Sequence, residues 1–234
     1  KITGAEAKVI LEKATSSTAQ LSMSDGATLE IKDPLFSAGN FYPNINNDKA
    51  ACSITVSTKD GDHGLFFYGS NASGIGALKN CNVKSTGIVG FYSNGSLDAS
   101  GSTIEATKLV VAHSISANVA NLSNATLKVG EIAQAIDPNN DYKVVDLKTL
   151  NLSGVSFIGN TTVADGVEVK FTDDSFINAG AKLTINDKAK VSVESGKKLY
   201  NGGTIVGNVT GTDALVDLKK AENLTPVSDE TVLN

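Results

Sequence analysis

Apolar and polar residues alternate in short runs along the last third of the chain. "GVEVKF" (166–171), "AKLTI" (181–185) and "AKVSV" (189–193) carry an apolar side chain at every second position, and Gly, Asn, Asp or Ser closes each run. Period-two alternation over four to six residues, bounded by turn formers, predicts strands with one buried face. "ATLEI" (27–31) and "CSITV" (52–56) extend the pattern upstream. Only "GEIAQAI" (130–136) hints at helical spacing, and it is too short to hold a helix.

Two motifs recur every twenty-odd residues. The first is a large apolar residue with Asn at its close: "FYPN" (41–44), "FYGSN" (67–71), "FYSN" (91–94), "ISAN" (115–118), "IDPN" (136–139), "FIGN" (157–160) and "IVGN" (205–208). The second begins with Leu and ends on an apolar residue: "LKNCNV" (78–83), "LDASGSTI" (97–104), "LSNATL" (122–127) and "LSGVSF" (152–157). Several short strands per repeat, with the repeat itself sustained, predict an all-β solenoid in which each turn lies about 4.8 Å from the last. Equivalent positions then stack. Leu78, Leu97, Leu122 and Leu152 are expected to form an inward column. Asn44, Asn71, Asn94, Asn118, Asn139, Asn160 and Asn208 are expected to form a corner ladder, since Asn tolerates left-handed backbone and its amide bonds to the amide above. A turn of about 22 residues predicts roughly ten turns.

Composition narrows the chemistry. The 234 residues carry a net charge of -5, and all 20 cationic side chains are Lys. No basic run tracks a phosphate backbone, so nucleic acid is not an expected partner. No stretch is apolar for long enough to insert into a bilayer as a helix. Cys52 and Cys81 have no metal-ligand spacing. They are read either as buried free thiols or as a disulfide between neighbouring turns.

Within 165–211 the phrases "GAKLTI", "KVSVESG" and "NGGTIVG" resemble the right-handed parallel β-helix of pectin-lyase-like bacterial surface and adhesin-type proteins. The resemblance covers roughly residues 20–212. It implies a right-handed, single-stranded parallel β-helix and a location at the bacterial surface or outside the cell, as part of a larger protein. Residues 1–20 are expected to be an N-terminal cap or first coil, 21–218 the β-helix, and 219–234 a C-terminal cap or linker. "FSAGNFYPNINNDKAA" (36–51) is expected to loop out of its coil, and "IDPNNDYK" (136–143) to be a turn or loop.

The resemblance also raises polysaccharide cleavage. Such lyases use an Arg base, and this chain has no Arg. Asp173 and Asp174 are adjacent, so on a strand they would face opposite sides, and they read as a solvated turn. His63 and His113 are the only histidines; "DGDHG" (60–64) offers Asp60 and Asp62 but too few carboxylates for calcium, and reads as a Gly-rich turn. No metal or cofactor is expected. In a Phe-Tyr pair on a strand one ring points in and the other out. Tyr42, Tyr68 and Tyr92 are therefore the candidate ligand-binding stripe, with packing beneath loops as the alternative. The expected role is a non-enzymatic adhesin or ligand-display rod contacting a glycan or a host or neighbour-cell protein. The alternatives are a β-helix polysaccharide lyase or hydrolase and a phage tail-spike fragment.

Overall fold

The computed structural model describes residues 1–13, 18–34, 37–59, 61, 63–67, 76–92, 95–112, 119–137, 140, 143–146, 148–211 and 213–218, and the side chains of these except 18–19 and 37–42. The chain winds as an all-β parallel solenoid with about seven turns complete on three faces and partial turns at both ends. Face A carries Thr28–Lys32, Cys52–Ser57, the first half of Cys81–Tyr92, and the strands stacked beyond them as far as Leu215–Asp217. Face B carries Gly64–Phe67, the second half of Cys81–Tyr92, Asn160–Val163 and Lys182–Ile185. Face C carries Val119–Ser123, Thr149–Ser153, Glu168–Phe171 and Lys190–Val193.

Register explains the alternation. On face A, Leu29, Ile54, Val83, Ile104, Leu127, Phe157 and Ile177 are successive parallel partners pointing inward, all nearly or fully buried. One residue earlier, Thr28, Ser53, Asn82, Thr103, Thr126 and Ser156 form the matching outward column, as the pleat requires. On face C, Leu97, Leu122, Leu152 and Phe171 stack inward. Leu78 is not in that column: Leu97 pairs with Gly76, which puts Leu78 two residues along. Aromatic rings fill the wider layers, with Phe67 and Phe91 stacked at 6.1 Å and Phe157 meeting Phe171 edge-on at 6.3 Å.

Two further sequence expectations are corrected. The turn count is lower than ten because some corners take up extra chain, above all 133–148 between faces B and C. Residues 37–46 do not loop out. They form the strand Ser37–Asn46, paired on one side with Thr18–Leu21 and on the other with Gly64–Phe67 and Gly76–Lys79. Neighbouring turns supply the whole ladder there and override a turn-rich composition. Within 136–143, expected as a turn or loop, Ile136–Asp137 pairs antiparallel with Lys143–Val144, and Asn140 N–H donates to the Asp137 carbonyl as in a turn. At the start, Lys8–Glu12 is a strand in register with Thr28–Lys32. Residues 219–234 lie outside the described residues.

Candidate functional site

Alternation fails on face B, and the failure locates the site. Gly64–Phe67 and the stretch from Ile88 to Tyr92 are buried at every position, as are Leu109 to Ala112. A strand buried on both sides must have its outer face covered. The outward residues here are Phe66, Ile88, Tyr92, Val110, Ala112 and Ile136, which pack with Ala133 into a second small core outside the barrel. Phe66 and Tyr92 meet at 6.2 Å with their ring planes 61° apart. Gly90 lies beneath Phe66 in register, and a Cβ at that position would stand 2.3 Å from the ring. Glycine is therefore what lets Phe66 lie flat on the sheet.

Beside this second core runs a cleft of about 630 Å³. Its floor is Val110, Ala133 and Ala164, small side chains in consecutive turns; Ala133 and Ala164 hang on the backbone carbonyls of Leu109 and Ile132. One wall is the column Ile88, Lys108 and Glu131, direct partners in successive strands. Ile136 and the 59% exposed Val144, antiparallel partners, add to the lining. His63, Gln134 and Asp165 complete the lining. The trough thus combines an apolar floor with two carboxylates, a Lys and a His. Such a site buries an apolar face of a ligand and hydrogen-bonds its polar edge. Among the described residues, no three His, Cys, Asp or Glu side chains gather as a metal site.

Of the three tyrosines in the expected stripe, the described residues include the side chain of Tyr92 alone. Tyr92 is buried, 2% exposed, in the second core, which is the packing alternative. Tyr42 belongs to Ser37–Asn46, but its side chain and all of Tyr68 lie outside what is described. The expected Asn ladder does not assemble among the described residues. Asn44 is exposed on face C and accepts a 3.0 Å bond from Asn46 Nδ2. Asn160 faces Lys182 and then Thr204 on face B, four positions short of Asn208. Asn71, Asn94, Asn118 and Asn139 lie outside the described residues. A shorter ladder forms from asparagines not in the motif: Asn151 Nδ2 donates to Asn121 Oδ1 at 2.9 Å, and Asn121 Nδ2 to Ser96 Oγ at 3.2 Å. The left-handed corners also use other asparagines, Asn80 (φ 50°) and Asn124 (φ 59°).

The acidic pair does turn-to-turn bracing. Asp173 accepts Lys197 Nζ at 2.8 Å, and this partner holds its carboxyl below the usual range. Asp174 accepts the backbone N–H of Lys198 at 2.8 Å. His113, Asp60 and Asp62 lie outside the described residues. A partly exposed pair lies outside the sequence motifs: Phe176 and Tyr200 stack at 5.0 Å on the outer side of face A. The cleft also went unread, although its signal was present. The runs "GLFF" (64–67) and "LVVA" (109–112) lack the alternation seen after residue 150, which is what a doubly covered strand looks like. No protein-family model, curated protein or solved structure matches this chain, so its own geometry is the ground for assigning it a role.

Proposed function

We propose that this chain is a non-enzymatic, pectin-lyase-like β-solenoid domain of a bacterial cell-surface or secreted protein, a rod that presents the face B cleft to a glycan or a host or neighbour-cell protein. One observation carries this reading. Among the described residues, a second apolar layer and the antiparallel pairing of Ile136–Asp137 with Lys143–Val144 stand beside the cleft on one flank of the repeat. Recognition elements held by a rigid scaffold are the usual way such folds bind. The test is a glycan and protein array probed with the full chain and with Ala164→Phe, which fills the cleft floor. Binding lost in the variant supports the reading, and binding that persists moves the contact surface elsewhere.

The cleft also favours a second reading, a polysaccharide-cleaving enzyme, because Glu131 and Asp165 share one trough with Lys108 and His63. Paired carboxylates are the usual equipment for cleaving glycosidic bonds. Incubation with pectin, alginate and other uronic-acid polymers, followed by detection of unsaturated products or reducing ends, separates the two. Turnover abolished by Glu131→Gln or Asp165→Asn would establish the enzyme; its absence leaves the display role.

A further inference from the structure

Cys52 and Cys81 occupy the same position in successive turns, as direct partners where Cys52–Ser57 pairs with Cys81–Tyr92. Parallel in-register partners hold their Cα atoms about 4.8 Å apart, inside the span of about 4.4–6.8 Å that a disulfide accepts. Both are free thiols and wholly buried. Their neighbours in the column are small: Ala27 precedes Cys52 and Ser102 follows Cys81, so no bulky side chain wedges the two apart. Asn47 anchors the adjoining corner. Its Nδ2 lies 3.6 Å from Cys52 Sγ and also donates to the carbonyls of Ala50 and Asn80. The backbone N–H of Cys81 is fixed by Ser102 Oγ at 2.8 Å. Register, burial and a braced corner together hold the two cysteines side by side in successive turns.

We propose that Cys52 and Cys81 are an inter-turn disulfide site, closed during folding by exchange with a small-molecule disulfide such as oxidised glutathione. One cysteine, as thiolate, attacks the small disulfide, forming a mixed disulfide and releasing one small thiol. The second cysteine, as thiolate, then displaces the other small thiol and forms the Cys52–Cys81 bond. The protein loses two protons and two electrons, and one small disulfide becomes two thiols. Timing follows from the environment. In the folded chain, burial pushes both thiols above their ordinary value, and for Cys81 the neighbouring Cys52 adds to the effect. The thiolate needed for exchange is therefore scarce once the turns have closed, and the oxidant has no path to it. The bond has to form before the turns seal. Nothing in this depends on what the face B cleft binds.

The experiment refolds the full chain from denaturant with either reduced or mixed reduced and oxidised glutathione. Each product is unfolded again, alkylated and weighed intact. The expected oxidised product is a monomer, lighter than the reduced chain by two hydrogens before alkylation, with no alkylated cysteine. Its thermal midpoint should be higher, and a reductant added during unfolding should abolish the difference. Cys81→Ser should give no intramolecular bond, and chain folded under reducing conditions should take up the bond far more slowly than refolding chain. Two alkylated cysteines after oxidative refolding, or oxidation found only between molecules, would overturn the proposal. If refolding yields no soluble protein, the same count on chain exported to a bacterial periplasm decides in the same way.

Discussion

Leu152→Ala tests the stacked-column architecture directly. Leu152 is fully buried and lies between Leu122 and Phe171 in the face C column. The change removes three carbons, and each buried methylene is worth about 0.8 kcal/mol, which accounts for roughly half the cost. The other half depends on the cavity, which costs about 24 cal/mol per Å³ if it stays open. Here it stays open. Leu122 and Phe171 are held by continuous hydrogen-bonded ladders at the inter-turn spacing, so neither can slide into the gap without breaking its own register. The expected loss is therefore in the upper part of the usual Leu→Ala range, about 3–5 kcal/mol. Val9→Ala is the control. Val9 faces Leu29 on one side only and is 36% exposed, so its loss should stay near or below about 1 kcal/mol. Urea unfolding followed by circular dichroism measures both, with an unchanged m-value required for the comparison. A Leu152→Ala cost below about 1 kcal/mol, or equal costs at the two sites, would refute the claim that rigid in-register columns set the stability of this rod.

Gly90→Ala should push Phe66 off the sheet, since the new Cβ would stand 2.3 Å from its ring; the expected cost is about 1–3 kcal/mol, with added binding of a hydrophobic dye as the second core opens. Asn151→Ala removes the donor to Asn121 and should cost about 0.5–1.5 kcal/mol; a double-mutant cycle with Asn121→Ala should recover most of that as coupling. Acid should weaken the rod. The carboxyls of Glu30, Glu105 and Asp173 are held below their ordinary values of 4.5, 4.5 and 3.8 by Lys8, Lys84 and Lys197 in adjacent turns. A folded-state value below the unfolded one contributes stability above the unfolded value and loses it as pH falls through the folded one. Thermal midpoints should therefore be flat from neutral pH down to about 5 and fall below about 4, and high salt should shrink the difference because these pairs are exposed.

Much of the architecture was legible along the chain. Alternation after residue 150 and the recurrence of Leu97, Leu122 and Leu152 report a local pleat and a turn length, and both are properties of neighbouring residues. Register is a different kind of quantity. It depends on how many residues each corner consumes, and a difference of a few residues moved Leu78 out of its column and set Asn160 against Lys182 rather than an asparagine. Among the described residues, Asn80 and Asn124 take left-handed backbone, as do Asp25 and Asp33, and corner length chose which residues stand there. Coverage is likewise beyond local pattern. Tyr92 is buried because Phe66, Val110 and Ile136, from other turns, lie over or beside it. Sequence alone determined that the strands would be short, half-buried and stacked. Only the closed turns decided which side chains meet, because the face B cleft and the Cys52–Cys81 pair are both made of residues that the winding brings together and the chain keeps far apart.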